Sequence, residues 1–203
     1  LGAPVTLLEL STSHRSAVIE LGASRPGDIA YTVDLVRPDV SVITNAGTAH
    51  VGEFGGPDRI VEAKGEILDG LNASGTAVLN RDDKAYSIWA ERAAGKRIVS
   101  FGLDDPLVDF SAGSIAYDQR GCPNFVLTGP LGSLRVQLNL LGRHNLANAL
   151  AAAAAAHALG ITAEAVVAGL QGLQPVKGRA VAQMLANGVR LIDDSYNANP
   201  ASI

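Results

Sequence analysis

Three sets of side chains in this 203-residue sequence have the types and spacing to do chemistry. The first is Glu20, His50 and Lys64. Glu20 lies in the apolar run AVIEL at 17–21, where an unpaired carboxylate is costly, so it calls for a backbone donor, an arginine or a metal ion. His50 follows a second apolar run, DVSVITN at 39–45, across the short loop AGTA. With both runs as parallel strands, Glu20 and His50 share the carboxyl edge of one sheet, the usual ligand-facing edge of an open α/β fold. Taken singly, a loop histidine is more often bland than catalytic. Lys64 falls among Ile60, Ile67, Leu68 and Leu71 when residues 57–68 are projected as a helix, whereas Glu62 and Glu66 project elsewhere. An inward lysine either snorkels to water, meets a phosphate, or is modified on its amine into an acidic ligand.

The second set is His144, Asn145 and Asn148, at the front of the stretch GRHNLANALAAAAAAHALG at 142–160. Asn145 has the residue type of an N-cap, Asn148 lies one turn on, and the body is Ala and Leu until Gly160 closes it. These three residues either cap the helix or present a carboxamide edge and an imidazole face, which suit a purine. The third set, Asp193 and Asp194, ends the run before SYNANP. Adjacent aspartates are either solvated turn residues or acceptors for sugar hydroxyls.

The elements that must position these groups alternate. Residues 1–16 read as a surface segment feeding a buried strand at 17–21. A helix at 27–36 stopped by Pro38, a strand at 39–45, a helix at 57–68, a strand at 76–80, a helix at 82–94 and a strand at 97–101 follow. This pattern predicts an α/β fold with a mostly parallel sheet flanked by helices. From 110 to 141 short strands follow one another without helices, which predicts an added antiparallel β segment. The alanine-rich helix and a second one at 162–173, capped by Thr162, come next, and QPVKGR then reads as a linker. A hairpin at 180–192 around Asn187 and Gly188 opens a further domain. The expected division is 1–175 and 176–203.

Charge and composition exclude several classes. Net charge is −4, which argues against the clustered basic surface that nucleic acid or anionic lipid needs. No apolar run reaches the length of a membrane span. The single cysteine, Cys122, excludes an internal disulfide and suggests a reducing, cytoplasmic setting. A start at Leu1 rather than Met suggests a piece of a longer protein.

The order IELGA, NAGTAH, AKGEI, GRHNLANALAA, VKGR, LIDDSYNANP resembles the Mur ligase superfamily of ATP-dependent amide-forming enzymes, in collinear order over nearly the whole chain. DDSYNANP is most similar to the branch that adds D-alanyl-D-alanine to UDP-N-acetylmuramoyl-tripeptide in peptidoglycan synthesis. The resemblance implies a central ATP-binding domain followed by the start of a Rossmann-like C-terminal domain, with ATP and Mg²⁺ as cofactors. By the same resemblance Glu20, His50 and a carbamylated Lys64 would hold Mg²⁺ and serve catalysis. His144, Asn145 and Asn148 would meet adenine, Arg179 ribose or phosphate, and Asp194 ribose.

One family feature is missing: these residues contain no GxxxxGK[ST] phosphate loop. The expectation is therefore that the 203-residue piece alone is inactive, binds ATP weakly, and self-associates through bared apolar sheet surface. Two rival readings are another Mur-type ligase or folylpolyglutamate synthase, and a non-catalytic nucleotide-binding domain. DDSYNANP argues against the first, and the trio Glu20, His50 and Lys64 against the second.

Overall fold

Helix α1 (Gly2–Leu8) opens the chain, where a surface segment was expected. Pro4 falls in its first turn, where a missing N–H costs nothing, and the Thr6 hydroxyl donates to the Gly2 carbonyl at 3.2 Å. The computed structural model describes residues 2–47 and 54–196. Those residues fall into two compact units, Leu1–Leu79 with Asp83–Val99, and Asn80–Asp82 with Ser100–Ile203.

In the first unit α2 (Asp28–Val36) begins after Gly27 and ends at Arg37, whose φ of 49° turns the chain ahead of Pro38. Strand β1 (Val40–Ile43) runs parallel to β2 (Thr76–Asn80), with Val40 opposite Thr76 and Ile43 opposite Leu79. Strand β3 (Arg97–Phe101) completes the order β1-β2-β3. Between β1 and β2 lies α3 (Pro57–Gly65), with Pro57 in its first turn, which tightens into a 3-10 turn over Glu66–Leu68. Helix α4 (Tyr86–Arg92) joins β2 to β3 and is shorter than the 82–94 expected. The core beneath is Ile43, Leu68, Leu71, Leu79 and Trp89, and the Trp89 indole N–H donates to the Val61 carbonyl at 3.0 Å. That bond lets the ring be fully buried without stranding its one polar atom.

The expected strand at 17–21 does not form. Its residues are irregular, Val18 is 98% exposed, and Glu20 lies on the surface. A run of this length becomes a strand only when a neighbour supplies ladder hydrogen bonds, and none does among the described residues. Glu66 also departs from expectation. It is buried, at 7% exposure, because the 3-10 turn ends the 100° progression on which the helical projection rests.

In the second unit β4 (Ser111–Tyr117), β5 (Pro123–Gly129) and β6 (Gly132–Gln137) form the antiparallel sheet expected from the sequence. The β4 register shifts between Gly113 and Ala116, where Ser114 has a φ of 50°. Helix α5 (Arg143–Ala158) buries Leu146, Ala149, Leu150, Ala153 and Ala154. Gly160 donates to His157 at 2.9 Å and Ile161 to Ala156 at 3.0 Å, which closes α5 in a Schellman motif. Helix α6 (Ala163–Gly172) starts on Thr162, whose hydroxyl accepts from Ala165 N–H. The hairpin β7 (Val181–Met184) and β8 (Arg190–Asp193) turns at Gly188, φ 80°. No helix among the described residues is long and apolar enough to cross a membrane.

Candidate active site

In the first unit chemistry gathers where β1 ends. The Lys64 amine, carried on α3, donates to the Asn45 carbonyl at 2.8 Å. The next backbone group, Ala46 N–H, donates to Asp83 Oδ2 at 2.7 Å, while Asp83 Oδ1 accepts from Ala85 N–H at 2.8 Å ahead of α4. Burial pulls the pKa of the half-buried Lys64 below the ordinary lysine value, and the nearby Asp83 charge opposes that shift. Gly47 then turns the chain at φ 68°; a Cβ there would lie 3.1 Å from Asn45 Oδ1. Glycine fits this position because the left-handed backbone strains other residues and Asn45 Oδ1 would have to yield to a side chain. The chain continues toward His50, which lies outside the described residues. The lysine therefore faces the strand end, as its place in the apolar stripe implied.

One residue beyond Gly65, Glu66 turns its carboxylate to the start of α2. Its two oxygens accept from Gly27 N–H at 2.7 Å and Ala30 N–H at 2.9 Å, satisfying orphan donors at the positive end of that helix. Glu20 stands apart, on the rim of an open hollow of about 470 Å³ between α1 and residues 18–22, which Thr32 also lines. Among the described residues no group of three His, Cys, Asp or Glu side chains could hold a metal ion.

In the second unit the polar front of α5 differs from the expected cap. Gly142, not Asn145, occupies the N-cap position, and no side chain caps the helix. Asn145 is one turn inside and sends its amide nitrogen back to the Leu141 carbonyl at 2.8 Å. That nitrogen also lies 3.1 Å from His144 Nε2, and Asn148 donates to Asn145 Oδ1 at 3.2 Å. His144, Asn145 and Asn148 thus form one polar line, of which Asn145 and Asn148 also line a small apolar hollow with Leu138, Ala149 and Leu170. Gly142 has a φ of 87°, and a Cβ there would approach the His144 ring to 3.0 Å. Arg143 reaches Asp104, whose loop is held by Asp82, an acceptor for Leu103, Asp104 and Asp105 N–H.

Farther along, Arg179 stacks on Tyr196 with its guanidinium carbon 4.4 Å from the ring centroid. Asp194 Oδ1 accepts from Ala180 N–H at 3.0 Å. Its neighbour Asp193 is occupied by the Ser195 hydroxyl at 2.6 Å, a bond that lowers its pKa below the usual carboxylate value. The tail from Asn197 onward is outside the described residues.

Sequence reasoning missed Asp83 and Glu66. Asp83 carried a signal, since it follows the polar end of β2 as the other candidates follow theirs. Glu66 carried none, because its partners lie 36 and 39 residues upstream.

Residues 1–156 match the Mur ligase middle domain. The chain belongs to the Mur ligase family. Over all 203 residues it is 42% identical to the UDP-N-acetylmuramoyl-tripeptide--D-alanyl-D-alanine ligase of Escherichia coli strain K12, of which it spans 45%. The crystal structure of MurF from Acinetobacter baumannii superposes with a TM-score of 0.93 at 42% identity, covering 98% of this chain and 43% of that one. MurF ligase from Thermotoga maritima in complex with ADP gives a TM-score of 0.78 at 30% identity, covering 90% and 41%. The chain thus spans less than half the length of these Mur ligases.

Proposed function

We propose that the complete protein carrying this chain is a cytoplasmic ligase that joins D-alanyl-D-alanine to UDP-N-acetylmuramoyl-tripeptide at the expense of ATP, in peptidoglycan synthesis. The observation that carries the reading is 42% identity over every residue of the chain to a ligase named for that reaction. In this reading the stem-peptide carboxylate takes the terminal phosphoryl group of ATP, releasing ADP. The D-alanyl-D-alanine amine then attacks the acyl carbon, forming the amide and releasing phosphate and a proton.

The chain's own residues divide the work. Lys64, half-buried beside β1, faces the strand end and is the group we assign to the acyl-phosphate side, with His50 as its expected companion. Asn145 and Asn148, with the His144 ring, present donor, acceptor and stacking surface suited to adenine. Arg179 and Asp194 are assigned to ribose and phosphate. Glu20, on the lining of the open hollow, supplies a hard carboxylate oxygen of a type that fits one Mg²⁺, and Lys64, apart from it, would offer oxygen to a second once carbamylated. When bound, Mg²⁺ supplies charge neutralisation for the transferred phosphoryl group.

The test is phosphate release from Mg-ATP by the complete protein, with UDP-N-acetylmuramoyl-tripeptide and with or without D-alanyl-D-alanine. Release that needs both supports the reading, and Lys64→Ala should abolish it. Release with a different amine acceptor, or none at all, would reject it.

A further inference from the structure

The Asn45–Ala46 peptide group is gripped from both sides. Its carbonyl accepts from the Lys64 amine at 2.8 Å, and its N–H donates to Asp83 at 2.7 Å. In the unmodified chain a cation thus sits at the oxygen end of one amide dipole and an anion at the hydrogen end, so that each bond polarises and strengthens the other; once carbamylated, Lys64 keeps one N–H to donate to the same carbonyl while the Asp83 anion stays in place. Because the peptide is planar, neither end can swing without moving the other. Asp83 is itself anchored: its second oxygen holds Ala85 N–H at 2.8 Å, just ahead of the helix that carries the buried Trp89.

We propose that Asp83 is a positioning residue for ligation, fixing the Asn45–Ala46 peptide plane and through it the Lys64 amine. The catalytic part rests on the ligase reading above; the clamp itself does not. The next residue, Gly47, has a φ of 68°, a left-handed backbone that favours glycine. Asp83 touches no substrate in this scheme. It acts through a backbone group on the lysine opposite.

The bland account of Asp83 is that it only holds the entry to α4. Asp83→Ser separates the two, since a serine hydroxyl can still accept from the N–H two residues on but is too short to reach Ala46. Asp83→Ala, which loses both bonds, is the second variant. In the complete protein, amide exchange at Ala46 is measured against amides of β1 and β2, alongside kcat and KM for Mg-ATP with both other substrates.

For Asp83→Ser, loss of one charge-assisted bond should speed Ala46 exchange by about tenfold or more, with β2 protection unchanged. Misplacement of the lysine should lower kcat by about tenfold to a hundredfold while KM for ATP stays near the parent value. Unchanged Ala46 exchange overturns the clamp. Unchanged kcat overturns the positioning role, and so does a loss of β2 protection in step with kcat, which would mark a purely structural residue. If the parent itself fails to ligate, the ligase reading falls and the catalytic part with it, while the exchange comparison still decides the clamp.

Discussion

Glu66 gives the sharpest stability test because its two acceptor bonds are its evident reason for being buried. Both carboxylate oxygens are committed to backbone donors at the start of α2, at 2.7 and 2.9 Å. Hydrogen bonds to a charged group contribute about 1.5–3 kcal/mol each, so the pair has a ceiling of about 3–6 kcal/mol. Two corrections reduce it. Gly27 and Ala30 are exposed, so water can take over much of the lost bonding, and removing the carboxylate recovers part of its desolvation cost. The expected net loss for Glu66→Ala is about 2 kcal/mol, which at a urea slope of about 2 kcal/mol/M moves the midpoint down by about 1 M. Trp89, the only tryptophan, is fully buried in the first unit's core, so its fluorescence reports unfolding where the change is made. Glu66→Gln should cost nearly as much, because one carboxamide oxygen can serve one donor while the NH₂ group opposes the other. Glu62→Ala is the control: Glu62 is exposed and paired with Arg59 one turn away, so its loss should stay below about 0.5 kcal/mol. A midpoint for Glu66→Gln within about 0.2 M of the parent would refute the argument, since the charge would then be dispensable.

Gly70 lies against Val33 so closely that a Cβ would come within 2.6 Å of a valine methyl carbon. Gly70→Ala should therefore cost about 1–3 kcal/mol by overpacking, and Val33→Ala in the same protein should recover part of it; a neutral Gly70→Ala in urea unfolding would contradict the packing. Acid should also find this chain sensitive over a narrow range. Asp28, Asp105 and Asp118 all have pKa values lowered from 3.8, each first by a backbone N–H, from Ser24, Leu107 and Cys122 in turn. A depressed folded-state pKa gives stability that is complete above the unfolded value and is lost as pH falls through the folded one. The melting temperature should thus be flat in these groups from pH 7 to about 5 and fall below about pH 4, with Asp118→Asn flattening part of the fall. A fall already under way at pH 6 would point to other groups.

The parts of the fold that sequence made legible are those whose causes are local. Strands β2 and β3 appear at their expected bounds because their apolar runs are bracketed by turn residues and each is buried by its neighbours. Thr162 caps α6 as expected, Gly160 closes α5, and the Asn187-Gly188 turn makes its hairpin, since each depends on a few consecutive residues. Lys64 facing inward was likewise readable from one helical projection. Residues 17–21 failed for the opposite reason. Their apolar character is compatible with a strand, but a strand is a relation between two segments, and only the partner can make the ladder. The N-cap of α5 failed by competition: Asn145 has the chemistry of a cap, but Gly142, with its φ of 87°, turns the chain three residues earlier and releases the asparagine to meet Leu141 and Asn148.

Glu66, and the partner that Asp83 takes at Ala46, show what lies beyond any local pattern. Each is a carboxylate whose partners are main-chain N–H groups, and such a donor looks the same in every non-proline residue. No residue type upstream announces that Gly27, Ala30 or Ala46 will need an acceptor. Only the folded course of the backbone, with α2 starting beside the 3-10 turn and β1 ending beside Asp83, creates those needs. The consequence reaches the proposed chemistry. Side chains suited to touch a substrate are limited to a few types at strand and helix ends, so Lys64 and Asn145, proposed above for that work, stand out in the sequence. A residue that positions a lysine through a peptide group needs only a charge and a distance, and Asp83 meets both at 2.7 Å from Ala46 N–H. Substitutions at such positions should therefore separate most clearly in backbone exchange at Ala46, where the held group itself is observed.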